Sequence, residues 1–389
     1  MAETSVVHGA IRRESSGDLI SDLPDHVIHR IFSFLPLEDV VKTSVLSKRW
    51  RFTWTTTTRL VFDDELECRY LDFPSFVDGV LSRVTSPTVK TFHITIFLSD
   101  EACRPKLDDW LRKAVERRVE DLRLCLFDAE KEVLYKVLYK LPPFLYCSSQ
   151  LVRLQVSGCC FSLGTTAITW SCLKFLLIEW AELSDDMLEG IVRGSPVLEC
   201  IELNFCRGLK NIVIDSMSVK ELGLEQGLMP DESSDLEEIR APHLQTLRLT
   251  GYWWLSDLEI ISAPHLRTLR LTVFWNFDRV LMPDLYIDSV SRPNLSSLVE
   301  TKLDFGDVSD DDCRNLLKQF LDKLLGVSTI TIGPRCLQIL STLEMEGVSS
   351  QLLEYQNLTA VSLRELPRIA YILRNKRCLE KLVITATPD

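Results

Sequence analysis

Six histidines, twelve cysteines and 56 acidic residues are the side chains from which a metal centre, a nucleophile or an acid–base pair could be built. Their spacing points elsewhere. His26 and His29 share one short helical stretch without an H-E-x-x-H pattern or a nearby third ligand. His243 and His265 fall at the same position of two nearly identical segments, which favours a structural role. The cysteines form no C-x-x-C pair, and the adjacent Cys159 and Cys160 are poorly placed to hold one ion together. The chain has no phosphate-cradling glycine loop, G-x-S-x-G elbow or kinase signature. The acidic run from Asp231 to Glu238 reads as a solvated loop rather than a reaction centre. No metal, cofactor or catalytic residue is expected, and the chain is read as a non-enzyme.

The chemistry that remains is recognition. Arg248 and Arg270 lie 22 residues apart at matched positions, as do Trp253 and Trp275. On adjacent strands the two arginines would stand about 4.8 Å apart, where like charges repel unless an anion or neighbouring acids compensate. An anionic target would make the pair a contact, whereas pairing with acids on neighbouring strands would make it structural. The tryptophans, with Tyr252, Trp254, Phe274 and Phe277 around them, read as core or edge packing, or as anchors for a protein partner if exposed.

Those residues are positioned by a repeat. Ala241–Thr250 and Ala263–Thr272 differ at one position in ten and share the core L-x-x-L-x-L. Weaker copies start at Val89, Val119, Leu151, Leu173, Leu198, Val219, Leu244, Leu266, Leu295, Val327, Leu358 and Leu379. The Leu295 copy is the poorest, because Glu300 falls where the third apolar residue belongs. Each copy supplies a short strand with inward leucines and a return segment on the outer side. No copy can bury its apolar face alone, so neighbours must stack. Return helices are expected over residues 184–191 and 310–321, each opening on capping residues. The alternate residues, among them Arg153, Gln155, Phe175, Glu179, Glu202, Asn204, Arg248 and Arg270, are expected on the open concave face. Cys159 and Cys206 occupy the inward polar position of the repeat, but Ala181 does not fit it, so the coil is expected to be irregular.

In front of the repeats stands a different texture. Residues 1–17 are small and polar and read as a mobile tail. From Asp18, Ser21 or Asp22 can cap a helix with Pro24 in its first turn, and Val27, Ile28, Ile31, Phe32 and Leu35 recur at helical spacing. Pro36 ends that helix, and a second begins near Glu38 and carries Val40, Val41, Val45 and Leu46. A third segment holds Trp50, Phe52 and Trp54. Three helices in so few residues cannot sustain a core alone and must lean on a neighbour or a partner.

Leu23-Pro24, the Ile28/Ile31/Leu35 face, Leu35-Pro36-Leu37 and the run Thr43–Trp50 with Trp54 resemble the F-box family in its plant form. With the repeats behind it, the chain resembles the plant F-box/leucine-rich-repeat family, and Tyr371–Ile384 is similar to the close of the FBD segment found in its members. The resemblance implies an α/β fold with a three-helix F-box at 18–60 and an irregular leucine-rich-repeat solenoid at 61–389, FBD-like around 327–389. It implies docking on a Skp-type adaptor, and through it a cullin, with Leu23, Pro24, Ile28, Ile31, Leu35 and Pro36 facing the adaptor or shaping that surface. Val45, Leu46, Trp50 and Trp54 would mostly hold the module together, some at the contact edge. The repeats would bind an unknown protein target for ubiquitination. A repeat scaffold outside any ligase and a small-molecule receptor are the alternatives.

Composition fits that reading. A hydrophobic content of 46% against 26% charged residues excludes a wholly disordered chain. The net charge of −12 disfavours non-specific binding to nucleic acid or anionic membranes. No apolar run reaches the roughly 18 residues of a membrane span, and the N-terminus lacks the pattern of a secretory signal. An intracellular protein with reduced thiols, in nucleus or cytoplasm, is expected.

Overall fold

The computed structural model describes residues 20, 22–63, 72–97, 103–127, 139–162, 167–226, 236–251, 261–273, 297–305, 329–333, 336, 357–360 and 381–384. Three short helices come first: α1 (Asp25–Phe32), α2 (Leu37–Lys42) and α3 (Trp50–Thr53), with single 3-10 turns at Thr43–Val45 and Trp54–Thr56. Pro24 and Pro36 themselves take the N-cap positions of α1 and α2, without a side-chain cap. Thus Asp22 does not cap α1, and Ser21 lies outside the described residues. A proline there sacrifices no helical hydrogen bond, because its missing N–H would be unsatisfied in any case.

Thirteen strands follow and form one sheet in chain order. They are β1 (Arg59–Asp63), β2 (Thr91–Phe97), β3 (Asp121–Phe127), β4 (Arg153–Ser157), β5 (Phe175–Glu179), β6 (Cys200–Asn204) and β7 (Glu221–Glu225). Then come β8 (Thr246–Gly251), β9 (Thr268–Val273), β10 (Glu300–Phe305), β11 (Thr329–Ile332), β12 (Asn357–Ala360) and β13 (Lys381–Ile384). Every pairing is parallel, from β1 with β2 through to β12 with β13. A parallel sheet whose spatial order is its chain order requires each connection to return on the same side, which is the topology of a solenoid.

The inward leucines stack across the sheet. Leu154, Leu176, Ile201, Leu222, Leu247 and Leu269 stand in register and are all fully buried. Each contributes about 1.5–3 kcal/mol by leaving water. Return segments change along the coil. The early ones carry helices α4 (Phe73–Arg83), α5 (Arg104–Glu116) and α6 (Pro143–Tyr146), then α7 (Asp185–Gly194). Later ones shrink to the short parallel strands Asn211–Val213, Glu238–Arg240 and Ile261–Ser262. The helix expected over 184–191 is α7, whose Ser184 hydroxyl accepts from the Met187 N–H at 3.3 Å. The one expected over 310–321 lies outside the described residues.

Three repeats sit differently from the sequence reading. A unit precedes Val89: Thr57, just before β1, is buried with Leu60 and Phe62 on it, and β1 runs straight across the 60/61 boundary. The copy assigned to Leu295 begins at Leu298, with Thr301 and Leu303 as its second and third inward residues, all buried. Glu300 therefore opens that strand. Leu358 stands opposite Ile330 and is the second inward residue of its unit, not the first. Other strands begin where the repeat placed them.

The front module is continuous with this coil. Ile28, Phe32, Leu37, Val40, Trp50 and Trp54 belong to the same buried cluster as the leucines. Main-chain bonds from Thr85 to Thr55 (2.8 Å) and from Lys90 to Thr58 (2.8 Å) tie the last turn of the module to the first return segment.

Candidate functional site

Two surfaces can bind something. On the front module the Trp50 indole donates to the Ile20 carbonyl at 2.9 Å and meets the Phe32 ring edge-on at 5.7 Å, while Arg49 pairs with Asp25. These contacts fold the chain into a small knot whose apolar residues divide unusually. Five of the eight large hydrophobic residues that are exposed among the described residues lie here: Ile20, Phe34, Val45, Leu46 and Phe52. Phe34 is 72% and Val45 85% exposed, values that no folding argument rewards.

The residues picked from the motif are distributed over this module. Pro24 and Pro36 are exposed, and Leu23, Ile31 and Leu35 are half-buried. Ile28 is fully buried and supports the surface from within. Trp50 and Trp54 are buried as expected, but Val45 and Leu46 are on the outside. The 3-10 turn at Thr43–Val45 ends α2 and takes Val45 off the face that buries Leu37 and Val40.

The second surface is the open face of the sheet. Arg248 and Arg270 are register partners on β8 and β9, and Lys302 of β10 follows Arg270. Arg248 does not face a bare neighbour. Its guanidinium reaches over Gly223 to Glu202 at 2.5 Å and stands 4.0 Å from Glu221. A Cβ on Gly223 would meet Glu202 Cγ at 3.3 Å and Arg248 Nε at 3.7 Å, so the absent side chain gives the ion pair its passage. Of the matched arginines, Arg248 is thus compensated by acids on neighbouring strands. Arg270 is exposed. Trp253 and Trp275, with Tyr252, Trp254, Phe274 and Phe277, lie outside the described residues.

Arg153 and Phe175, both expected on this face, are register partners and stack, with the guanidinium carbon 4.0 Å from the ring centre. Glu179 accepts from the Asn204 amide at 3.1 Å. Sequence reading passed over the residues just beyond: Trp180 and Phe205 stack face to face, with centres 4.1 Å apart and planes at 12°. Both follow the third inward residue of their units by two positions, so aligning the repeats would have paired them. Both adopt left-handed backbone, with φ of 53°, at the site where the β4 and β8 units place Gly158 and Gly251. At Gly251 a Cβ would lie 2.2 Å from the Gln226 carbonyl, which only glycine avoids.

The thiols offer no nucleophile here. Burial pushes Cys206 up to about 12, and burial with Glu202 and Glu221 pushes Cys200 up to about 11, so both are protonated at neutral pH. Cys206 instead donates to the Ile178 carbonyl at 3.4 Å, performing the inward polar role of its repeat position. His243 and His265 stack parallel, 6.5 Å apart. Among the described residues no cluster of three or more His, Cys, Asp or Glu could hold a metal ion, and no helix is long and apolar enough to cross a membrane.

Comparison with known proteins agrees with both halves of this architecture. Residues 20–61 match the F-box domain, and residues 107–301 match the leucine-rich repeats described for the FBD-associated F-box protein At5g56370. F-box/LRR-repeat protein At3g03360 of Arabidopsis thaliana is 30% identical over 95% of this chain and 71% of its own length. F-box/LRR-repeat protein At5g02910 of the same plant is 30% identical over 94% and 72%. F-box/LRR-repeat protein 25 is 32% identical over 61% of this chain and 87% of its own. With a front module matching the F-box, a thirteen-strand repeat sheet behind it and relatives along almost its whole length, the chain belongs to the plant F-box/LRR-repeat family.

Proposed function

We propose that the chain is the substrate-recognition subunit of an SCF (Skp–cullin–F-box) ubiquitin ligase, in which the front module docks on a Skp-type adaptor and the repeats hold a protein target. The observation that carries the reading is the concentration of exposed apolar side chains on a module that matches the F-box. Such a patch is unfavourable in water and becomes favourable when a partner covers it. The adaptor contact comprises Leu23, Pro24, Ile31, Leu35 and Pro36, with Phe34, Val45, Leu46 and Phe52 beside them and Ile28 as support. The chain makes and breaks no bond. It raises the effective concentration of target lysines near a ubiquitin-loaded enzyme.

Binding of the purified chain to a Skp-type adaptor tests this, beside the double variant Leu23→Ala/Pro24→Ala. A hot-spot loss of about 2 kcal/mol corresponds to roughly 30-fold weaker binding. Absence of binding by a well-folded parent would leave a repeat scaffold outside any ligase as the better description.

A further inference from the structure

The open face of the sheet is not chemically uniform. Along β5, β6 and β7 the third outward position is occupied in register by Glu179, Asn204 and Glu225. Asn204 serves Glu179, and Arg248 serves Glu202. The half-buried Glu225 side chain has no ion pair or hydrogen bond among the described residues. Burial first, and then the carboxylates of Glu179 and Glu202, push its carboxyl upward, and a cation set against it would offset both. Immediately beyond this row stand the stacked rings of Trp180 and Phe205, half-buried, followed in the next unit by Gln226.

We propose that the face of β5–β7 is the surface on which the protein target docks, and that the target presents a basic segment there. An arginine or lysine stem lies along the Trp180–Phe205 stack while its cation meets Glu225. Long basic side chains combine these two needs, an apolar stem and a charged head, and aromatic rings attract cations. An acidic segment fits this part of the face less well, because Glu179, Glu202, Glu221 and Glu225 stand on it and the neighbouring Arg248 is already paired with Glu202. This inference rests on the recruitment reading and adds the chemistry of the partner.

The test pans a random dodecapeptide display library against the immobilised full-length chain, then measures the affinity of the leading synthetic peptide. The parent is expected to enrich Lys- and Arg-containing peptides over the input library. Glu225→Gln should weaken the leading peptide about tenfold, the scale of one charge-assisted contact. Glu225→Lys should abolish its binding. Glu189→Lys, an identical change of net charge on the exposed face of α7, should leave binding within about twofold. Melting temperature is followed for every variant, and the isosteric Glu225→Gln keeps the outcome readable if the lysine variant unfolds. No basic enrichment, or enrichment insensitive to Glu225, overturns the proposal. Adaptor binding measured on the same samples separates its failure from that of the ligase reading.

Discussion

The front module and the repeat sheet solve opposite problems with the same kinds of residue. The sheet buries its inward row, Leu154, Leu176, Ile201, Leu222, Leu247 and Leu269, out of contact with water, while most of its outward side chains are polar, charged or aromatic. The module hides Ile28 and Trp50 but leaves Phe34, Val45 and Phe52 more than half exposed. Apolar side chains in the sheet are therefore stability, whereas several in the module bury little: Phe34 and Phe52 lie beneath the guanidinium groups of Arg30 and Arg51, and Val45 stands in water. The difference teaches that hydrophobic content alone does not tell a core from a contact. What decides is whether the local helix geometry can turn a side chain inward.

Substitutions can break or sharpen this contrast. The largest effect belongs to the sheet. Leu222→Ala should cost about 2–5 kcal/mol in denaturant unfolding, because flanking β6 and β8 cannot both collapse into the cavity. Next comes Asp185, at the start of α7, whose carboxylate accepts from the main-chain N–H groups of Lys210 (2.8 Å) and Asn211 (3.0 Å) and so pins the helix to the return strand Asn211–Val213. Burial opposes ionisation, but these bonds outweigh it and hold the carboxyl below its usual value.

Asp185→Ala should cost about 1–2 kcal/mol at neutral pH. Because the folded pKa is the lower one, this stabilisation is complete above the unfolded value of about 3.9 and vanishes as pH falls through the folded value. The gap between parent and variant, read by unfolding at successive pH values, should therefore close in acid; a gap that persists there would refute the assignment.

Smaller still is a change in the opposite direction. The buried Thr301 hydroxyl occupies an inward leucine position without a hydrogen-bond partner among the described residues. Thr301→Val should raise stability by about 1 kcal/mol, seen as a higher denaturant midpoint. At the bottom of the scale, Val45→Ser/Leu46→Ser should change unfolding by less than about 0.5 kcal/mol, since both side chains are already in water. The same pair should weaken adaptor binding at least about tenfold. Loss of stability instead would place these residues with the leucines and erase the contrast.

The sequence made the repeat readable wherever the inward side chains were regular. Leu244, Leu247 and Leu249 are matched by Leu266, Leu269 and Leu271, and their strands pair residue for residue. It failed where a threonine took a leucine's place: Thr57 concealed the first unit, and Thr301 shifted a later one by three residues. Hydroxyls interrupt an apolar pattern without preventing a strand. The module's helices are legible from their spacing, but that spacing carries the second helix through Val45 and Leu46, whereas α2 ends at Lys42 and a 3-10 turn takes both side chains outward. On the open face, the Arg248–Glu202 pair spans 46 residues of sequence and depends on a missing side chain at Gly223, so only the assembled sheet brings it together.

The strand that follows the last turn of the module directly, β1, makes the molecule a ruler. With no slack between module and sheet, the separation of a partner held at the front from one held on the open face is counted in strands. From β1 to β7 it amounts to six spacings, about 29 Å along the sheet, less whatever curvature removes. Gain or loss of a repeat in between would change that reach in discrete steps of about 4.8 Å. A related chain could thus adjust where its cargo is presented by counting units, without altering either gripping surface.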